Sequence, residues 1–441
     1  MEVTLEEKGG FDRSLTIQVP ASQVDTLLDG ELAQLATTAK LPGFRPGKVP
    51  KKVLESRYRK ELSGTVAEKI FKTTYSQALQ EKAVFPATAP MLDMGDVARG
   101  QDFTYTVLFQ VLPEVDPQGY KGVDLVRPEA TIGDAEVDQV VEEIRTRNAK
   151  FEAQEGREAQ SGDQVELDFK GFLGETAFEG GTADNYVLEL GSGQFIPGFE
   201  EQLIGAKPGE DREVTVSFPE AYGNAELAGK EALFKCHIHE VRARLLPEID
   251  DKLAELAGVK EGGVSAMRME VNARLEKEAA EAVERDVKRQ ILDKLLEANP
   301  MELPDQVVER ELDGMVKQTQ EEYQRQGMDP AQMGLSEDKM RESLVGRAQE
   351  RVKLGLLIGT IGQKEALKVE EAEVEAHLET LVAPYGAEAA AMKSWLKKDN
   401  ARMEDLRGAV LEKKVMDWIV DNGSVVKEER TFKELVQRSG Q

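Results

Sequence analysis

Gly162-Asp-Gln-Val-Glu-Leu-Asp-Phe169-Lys-Gly171 opens the region whose reading decides the fold of this 441-residue chain. Apolar and polar residues alternate along it, which predicts a half-buried strand. Five further blocks follow in order: Phe178-Glu-Gly-Gly, Tyr186-Val-Leu-Glu-Leu-Gly191, Phe195-Ile-Pro-Gly-Phe199-Glu-Glu, Phe218-Pro-Glu-Ala-Tyr222-Gly223 and Phe234-Lys-Cys-His-Ile238. From Ser161 to about Val241 the chain is rich in glycine, aromatic residues and alternating strands. The alternation puts Phe234, Cys236 and Ile238 on a buried face and His237 and His239 on the opposite one. Aromatic side chains mostly pack, so taken singly these rings would be the core of a small β domain.

Outside this region the totals set bounds. The length predicts roughly three domains. Forty per cent apolar and 32% charged residues fit a globular protein with ample charged surface. A net charge of −26 argues against general binding to nucleic acid or anionic membranes, so any such contact must be local. The single cysteine excludes an intrachain disulfide and fits a reducing compartment. The first residues lack a basic and then apolar leader, so no signal peptide is expected. The longest apolar stretch, near Leu354 to Ile361, is broken by glycines and too short to span a bilayer. These features predict a cytoplasmic protein with no membrane partner.

On the N-terminal side, Leu15, Ile17 and Val19 alternate, as do Phe103, Tyr105, Val107, Phe109 and Val111, which predicts two half-buried strands. Between them lie two helical patterns. One carries Val24, Leu28, Leu32 and Leu35. The other runs from Pro50 through Leu54, Tyr58, Leu62, Ile70 and Leu79, with Pro50 suited to its first turn. The segment that joins them, Leu41-Pro-Gly-Phe-Arg-Pro-Gly-Lys-Val-Pro50, presents one aromatic ring among cations. Residues 40 to 60 hold eight basic side chains and one acid, Glu55. A compact cationic tip on an acidic chain suggests a place that meets a polyanion. Lys51 and Lys52 fall in a helical first turn, where the macrodipole disfavours cations unless an external anion compensates. An exposed Phe44 is costly unless a partner's pocket receives it.

Leu112-Pro-Glu-Val-Asp-Pro-Gln-Gly reads as a boundary. Residues 134–150 predict a polar helix with Val137, Val140, Val141 and Ile144 on one side. Beyond Pro247 apolar residues recur at helical spacing: Met267, Val271 and Leu275, then Met340, Leu344 and Val352, then Met403, Leu406 and Val410. Asp250 and Asn400 are expected N-caps and Pro304 a first-turn residue. Only five aromatic residues occur from 246 to 441, which suggests thin helical layers or arms.

The six blocks in the middle region resemble an FKBP-type peptidyl-prolyl isomerase across about 80 residues. That resemblance implies a half-barrel sheet on a short helix beginning near Ile196, with a shallow pocket of Phe169, Phe178, Phe195, Ile196, Phe199, Tyr222 and Phe234. Phe199 stands where many members have tryptophan, and Glu179 where they usually have aspartate. The implied chemistry is non-covalent, with Tyr222 as a hydroxyl donor to the substrate carbonyl and no cofactor. Gly43-Phe44-Arg45-Pro46-Gly47-Lys48-Val49-Pro50 in turn resembles the ribosome-docking signature of the bacterial trigger factors, Gly-Phe-Arg-x-Gly-x-x-Pro. All its fixed positions are present.

Together the resemblances cover the whole chain. They imply a multidomain α+β fold: an α+β ribosome-binding domain at 1–112, a linker and helix at 113–149, the isomerase domain at 150–245, and an all-α chaperone domain with helical arms at 246–441. The family suggests that 113–149 packs with 246–441, making that domain discontinuous. The expected function is ATP-independent chaperoning of nascent chains at the exit of the large ribosomal subunit, coupled to X–Pro isomerisation. The expected partners are ribosomal protein and rRNA there, unfolded polypeptides, and a second copy when the protein is free. Two other readings stay open: a free cytosolic prolyl isomerase, and a ribosome assembly factor. The pair His237 and His239 could bind a metal with a third ligand, but an exposed histidine pair is the expected reading.

Overall fold

The computed structural model describes residues 1–39, 44, 49–154, 156–174, 176–220, 222, 224, 227–328, 330 and 335–439, with 179 and 437–439 described for the backbone alone. The chain divides into two compact units, residues 1–127 with 287–427 and residues 128–286 with 428–441.

In the first unit, strands β1 (Glu2–Gly9), β2 (Asp12–Val19), β3 (Met91–Met94) and β4 (Phe103–Gln110) form an antiparallel sheet in the order β1-β2-β4-β3. The β2–β4 register sets Leu15 opposite Val107, Ile17 opposite Tyr105 and Val19 opposite Phe103, so both expected strands turn their apolar residues to one face. Helices α1 (Ala21–Thr38) and α3 (Arg59–Lys82) cover that face with Val24, Leu28, Val66 and Ile70. The second helical pattern is not one helix. It breaks at Tyr58 (φ −108°, ψ 19°) into α2 (Lys51–Arg57) and α3. The break lets Leu54 and Leu62 both reach a satellite cluster with Leu32, Ala39, Val49 and Tyr58. Pro50 is the residue before α2 rather than in it, and its carbonyl accepts from the N–H of Val53 and Leu54.

A small sheet pairs β5 (Asp124–Glu129) with a late strand at Ser424–Glu429. In the second unit, α4 (Asp134–Arg147) opens with the Glu136 carboxylate accepting from the N–H of Gly133 at 3.0 Å. Its Val137 and Val141 share a core with Leu253, Ala254, Met267, Val271 and Leu275. The aromatic region forms an antiparallel sheet of β6 (Lys150–Ala153), β7 (Gln164–Leu173), β8 (Thr176–Glu189), β9 (Asp211–Ser217) and β10 (Glu231–Leu245). The order is β6-β10-β7-β8, with β9 on β10 as well. A single short helix, α5 (Phe199–Leu203), packs Phe199 and Leu203 onto Phe169, Val214, Phe234 and Ile238. It begins at Phe199, not near Ile196, because Pro197 and the left-handed Gly198 (φ +89°) separate a turn at Ile196 from the helix proper.

Helices make up the rest: α6 (Asp251–Leu256), α7 (Gly263–Ala298), α8 (Asp305–Arg325), α9 (Glu337–Lys364), α10 (Glu371–Val382), α11 (Ala389–Lys397), α12 (Asn400–Asp421) and α13 (Phe432–Ser439). Asp250 caps α6 by accepting from the N–H of Lys252 and Leu253. For α12 the cap is Asp399, which accepts from Ala401, and Asn400 is the first helical residue. Pro304 likewise precedes α8 by one position. Several small clusters hold these helices: Val308, Leu312, Met315 and Met340 between α8 and α9, and Val374, Leu378, Leu406 and Val410 between α10 and α12. No helix among the described residues is long and apolar enough to cross a membrane.

Candidate functional site

Strand alternation brings Phe169 of β7 and Phe234 of β10 to the inner face of the middle sheet, where α5 sets Phe199 between them. Ring centroids are 6.1 Å apart for Phe169–Phe234, 6.1 Å for Phe169–Phe199 and 5.2 Å for Phe199–Phe234, all edge-to-face. Such pairs each add about 0.5–1.5 kcal/mol beyond burial. Phe199 is fully buried and forms the floor. Phe195 stacks on it at 4.7 Å and meets Phe169 at 5.5 Å. Phe178 of β8 reaches Phe234 at 5.7 Å. Phe195, Ile196 and Phe178 are only partly buried, so they rim the cluster rather than fill it.

Two glycines leave room for the Phe178 ring. A Cβ on Gly171 would sit 2.6 Å from that ring, and one on Gly181 2.5 Å from it. Two residues outside the expected set join the cluster. Tyr186 packs on Phe195 at 5.4 Å and on Phe169 at 5.9 Å. Phe218 packs on Phe178 at 5.9 Å and carries Tyr222 at 4.7 Å. Tyr222 therefore reaches the cluster through Phe218 and is 42% exposed. Both additions lie inside the quoted sequence blocks, next to residues already singled out. Glu179 lies on β8, and its side chain is outside the described residues.

On the opposite face of β10, His237 Nδ1 is 2.6 Å from Asp211 and His239 Nε2 is 2.8 Å from Asp168. The backbone N–H of Asn185, and after it His239, hold the Asp168 carboxyl below the usual carboxylate range. Among the described residues no group of three or more His, Cys, Asp or Glu is placed to hold a metal ion. Cys236 is buried, and desolvation pushes its thiol up to about 12. It is a neutral packing residue.

Of the docking segment, Gly43, Arg45, Pro46, Gly47 and Lys48 lie outside the described residues. Phe44 is 42% exposed. Ala39 and Val49 on either side are buried in the satellite cluster. Beyond Pro50, α2 has no acid in its first turn. The one acid of the basic window, Glu55, is engaged by Arg99 at 3.2 Å. Lys51 comes only within 3.9 Å of Asp29. Lys52, Arg57, Arg59 and Lys60 are exposed and have no ion-pair partner among the described residues.

These edge-to-face rings on an antiparallel sheet, with one short helix packed against them, are the arrangement expected of an FKBP-type domain. A family profile for FKBP-type peptidyl-prolyl cis-trans isomerases matches residues 155–239. Profiles for the bacterial trigger factor protein and for its C-terminus match residues 1–144 and 263–421. The trigger factor of Magnetococcus marinus is 47% identical over 442 residues, covering 100% of both chains. That of Chromohalobacter salexigens is 35% identical over 446 residues, covering 100% of this chain and 97% of its own. A solved structure of the trigger factor chaperone aligns over 96% of this chain and 99% of its own at 23% identity, with a TM-score of 0.49. The chain belongs to the trigger factor family. It is a ribosome-associated chaperone that carries a peptidyl-prolyl isomerase domain.

Proposed function

We propose that Gly43, Phe44, Arg45, Pro46, Gly47, Lys48 and Pro50 dock the chain on the large ribosomal subunit beside the polypeptide exit. One observation carries this reading: on a chain of net charge −26, an exposed ring is followed by four cations that are unpaired among the described residues. Lys52 in the first turn of α2 and Arg59 and Lys60 in that of α3 are cations at helix starts, best satisfied by phosphate or an acidic protein patch. At the exit the chain would shelter emerging polypeptides without ATP, in the cytoplasm, and pair with a second copy when free of the ribosome.

The isomerase site of this proposal is Phe169, Phe178, Phe195, Ile196, Phe199, Tyr222 and Phe234, with Glu179 beside Phe178. Rotation about an X–Pro bond crosses a barrier of roughly 18–20 kcal/mol because amide resonance is lost. Rings hold the proline side chain and exclude water from the amide. The planar amide, with its larger charge separation, loses more solvation there than the twisted one. The exposed Tyr222 hydroxyl donates a hydrogen bond to the substrate carbonyl and holds one side of the rotating bond. The functional segments follow 1–112 for docking, 113–149 as linker and helix, 150–245 for isomerisation and 246–441 for client binding. The core that α4 shares with residues 253–275 supports joining the linker to the helical domain.

Co-sedimentation with purified ribosomes at rising salt tests the docking reading. The native chain should bind, weaken steeply with salt as phosphate contacts require, and lose binding as Phe44→Ala/Arg45→Ala. Undiminished binding by that double variant would remove the segment from the contact. Preference for naked rRNA over intact ribosomes would favour an assembly role instead.

A further inference from the structure

Glu200 is the neighbour of the floor ring Phe199, and among the described residues it is one of two carboxylates buried in the isomerase domain. It makes no ion pair there; main-chain N–H groups and a hydroxyl surround it. Its Oε2 accepts from the N–H of Gly191 at 2.7 Å and of Gly193 at 3.1 Å. Its Oε1 accepts from the N–H of Phe195 at 3.1 Å and from the Ser192 hydroxyl at 3.2 Å. The segment 191–195 is thus curled around an anion supplied by the protein itself, with Gly191 at φ +90° and Gly193 at φ +70°. Burial alone would raise the Glu200 carboxyl, but the N–H groups of Gly193, Phe195 and Gly191 and the Ser192 hydroxyl together hold it below the ordinary range. It remains charged at neutral pH.

That segment ends in Phe195, the ring that stacks on Phe199 and touches Phe169 and Tyr186. We propose that Glu200 is the positioning residue of the isomerase pocket: it clamps the loop 191–195 to the first turn of α5 and so sets the Phe195 wall at a fixed height over the Phe199 floor. Phe199 and Glu200 are consecutive in the chain. One turn of helix therefore carries both the floor and the anchor of the wall. A loop held by neutral groups would have weaker bonds, since hydrogen bonds to a charged acceptor are about twice as strong as neutral ones.

This inference rests on the isomerase site proposed above. Its control is the second buried carboxylate, Asp163, whose side chain accepts from Arg157 and from the N–H of Gln160 and Arg244 and, among the described residues, from no donor of 191–195. Glu200→Gln replaces one acceptor oxygen by an amide that faces N–H donors, whereas Asp163→Asn makes the equivalent change away from the pocket. Both should lower the thermal midpoint of the domain. With a proline peptide substrate, and rates normalised to folded protein, Glu200→Gln should raise KM and lower kcat/KM by about tenfold or more, as a misplaced wall predicts. Asp163→Asn should leave KM within about twofold, as expected of a change that acts on stability alone.

The exposed Ser192 supplies a milder variant, expected to fold because it removes only one hydroxyl at the surface. Ser192→Ala should raise KM in the same direction by a smaller factor and speed amide exchange at Gly193 and Phe195. An unchanged KM in Glu200→Gln, or equal KM changes in Glu200→Gln and Asp163→Asn, would overturn the proposal. If Glu200→Gln does not fold, unchanged KM and exchange in Ser192→Ala would overturn it. Loss of all isomerase activity in Phe199→Leu with a folded domain would support the underlying site. Retention of full activity there would remove that site and leave the Glu200 result as loop stability only.

Discussion

The aromatic pocket and the basic segment are both read from short motifs, yet they are completed in opposite ways. In the pocket, Phe169 meets four other rings, and every expected ring touches another. The site is finished by its own chain. At residues 44–60 an aromatic ring is exposed and four cations lack partners among the described residues. That surface is finished only by something else. Internal packing constrains the first site, so substitutions there act on stability. The second contributes little to folding, so substitutions there act on binding.

The sharpest break of this comparison sets two phenylalanines side by side. Phe199→Ala removes a fully buried ring and should cost about 3–5 kcal/mol of domain stability in denaturant unfolding. Phe44→Ala should change stability by less than about 0.5 kcal/mol, while ribosome binding falls. Equal destabilisation by both would mean that Phe44 folds back on its own helices. Next in size is the quadruple change of Lys52, Arg57, Arg59 and Lys60 to Gln. Unfolding should be almost unmoved, and the salt dependence of ribosome binding should flatten by about 0.7–0.9 in logarithmic slope for each phosphate that is no longer neutralised. A steep slope retained in full would place the docking charge elsewhere.

Gly181→Ala sharpens the pocket side. Its Cβ meets the Phe178 ring at 2.5 Å, so a cost of about 1–3 kcal/mol and a weakened pocket rim are expected. Unaltered isomerase kinetics and stability would show that Phe178 yields freely. Acid titration separates the domain's structural carboxylate from its surroundings. Burial pushes Asp163 up, but Arg157 and the N–H groups of Gln160 and Arg244 outweigh it, so the folded-state carboxyl titrates lower than in the unfolded chain. Its contribution is complete above the unfolded carboxylate pKa and is lost as pH falls through the depressed one. The drop in stability below about pH 4 should therefore be smaller in Asp163→Asn than in the native protein, the remainder coming from carboxylates such as Glu200 and Asp168 that are also held low. Smallest is Tyr75→Phe in the N-terminal core. The Tyr75 hydroxyl is buried without a hydrogen-bond partner among the described residues. Its removal should be neutral or stabilise by up to about 1 kcal/mol, and a clear loss would reveal a partner for that hydroxyl.

Strands with alternating residues were legible because period two is a local property: β2, β4, β7 and β10 follow it. The pocket rings Phe169, Phe195, Phe199 and Phe234 were legible through ordered motifs. Tyr186 and Phe218 were not singled out, because a ring's partners sit on other strands and no linear spacing encodes them. Glu200 was hidden for a similar reason. Its partners are backbone N–H groups, which every sequence has everywhere. The second helical pattern reads as continuous because its apolar spacing runs through Tyr58 without interruption; the break there goes with Leu54 and Leu62 both joining the cluster of Leu32.

What the sequence determined by itself is local and chemical: which residues alternate, where proline and glycine punctuate, where charge collects, and which motifs stand in order. What the tertiary structure decided is who meets whom. It set Phe199 under Phe195, placed Glu200 inside a curl of main-chain donors, and routed Tyr222 to the pocket through Phe218. Among the described residues it also left Lys52, Arg57, Arg59 and Lys60 without carboxylates. Burial and hydrogen bonding depend on distances between residues far apart in the chain, and those distances exist only after strands and helices have packed.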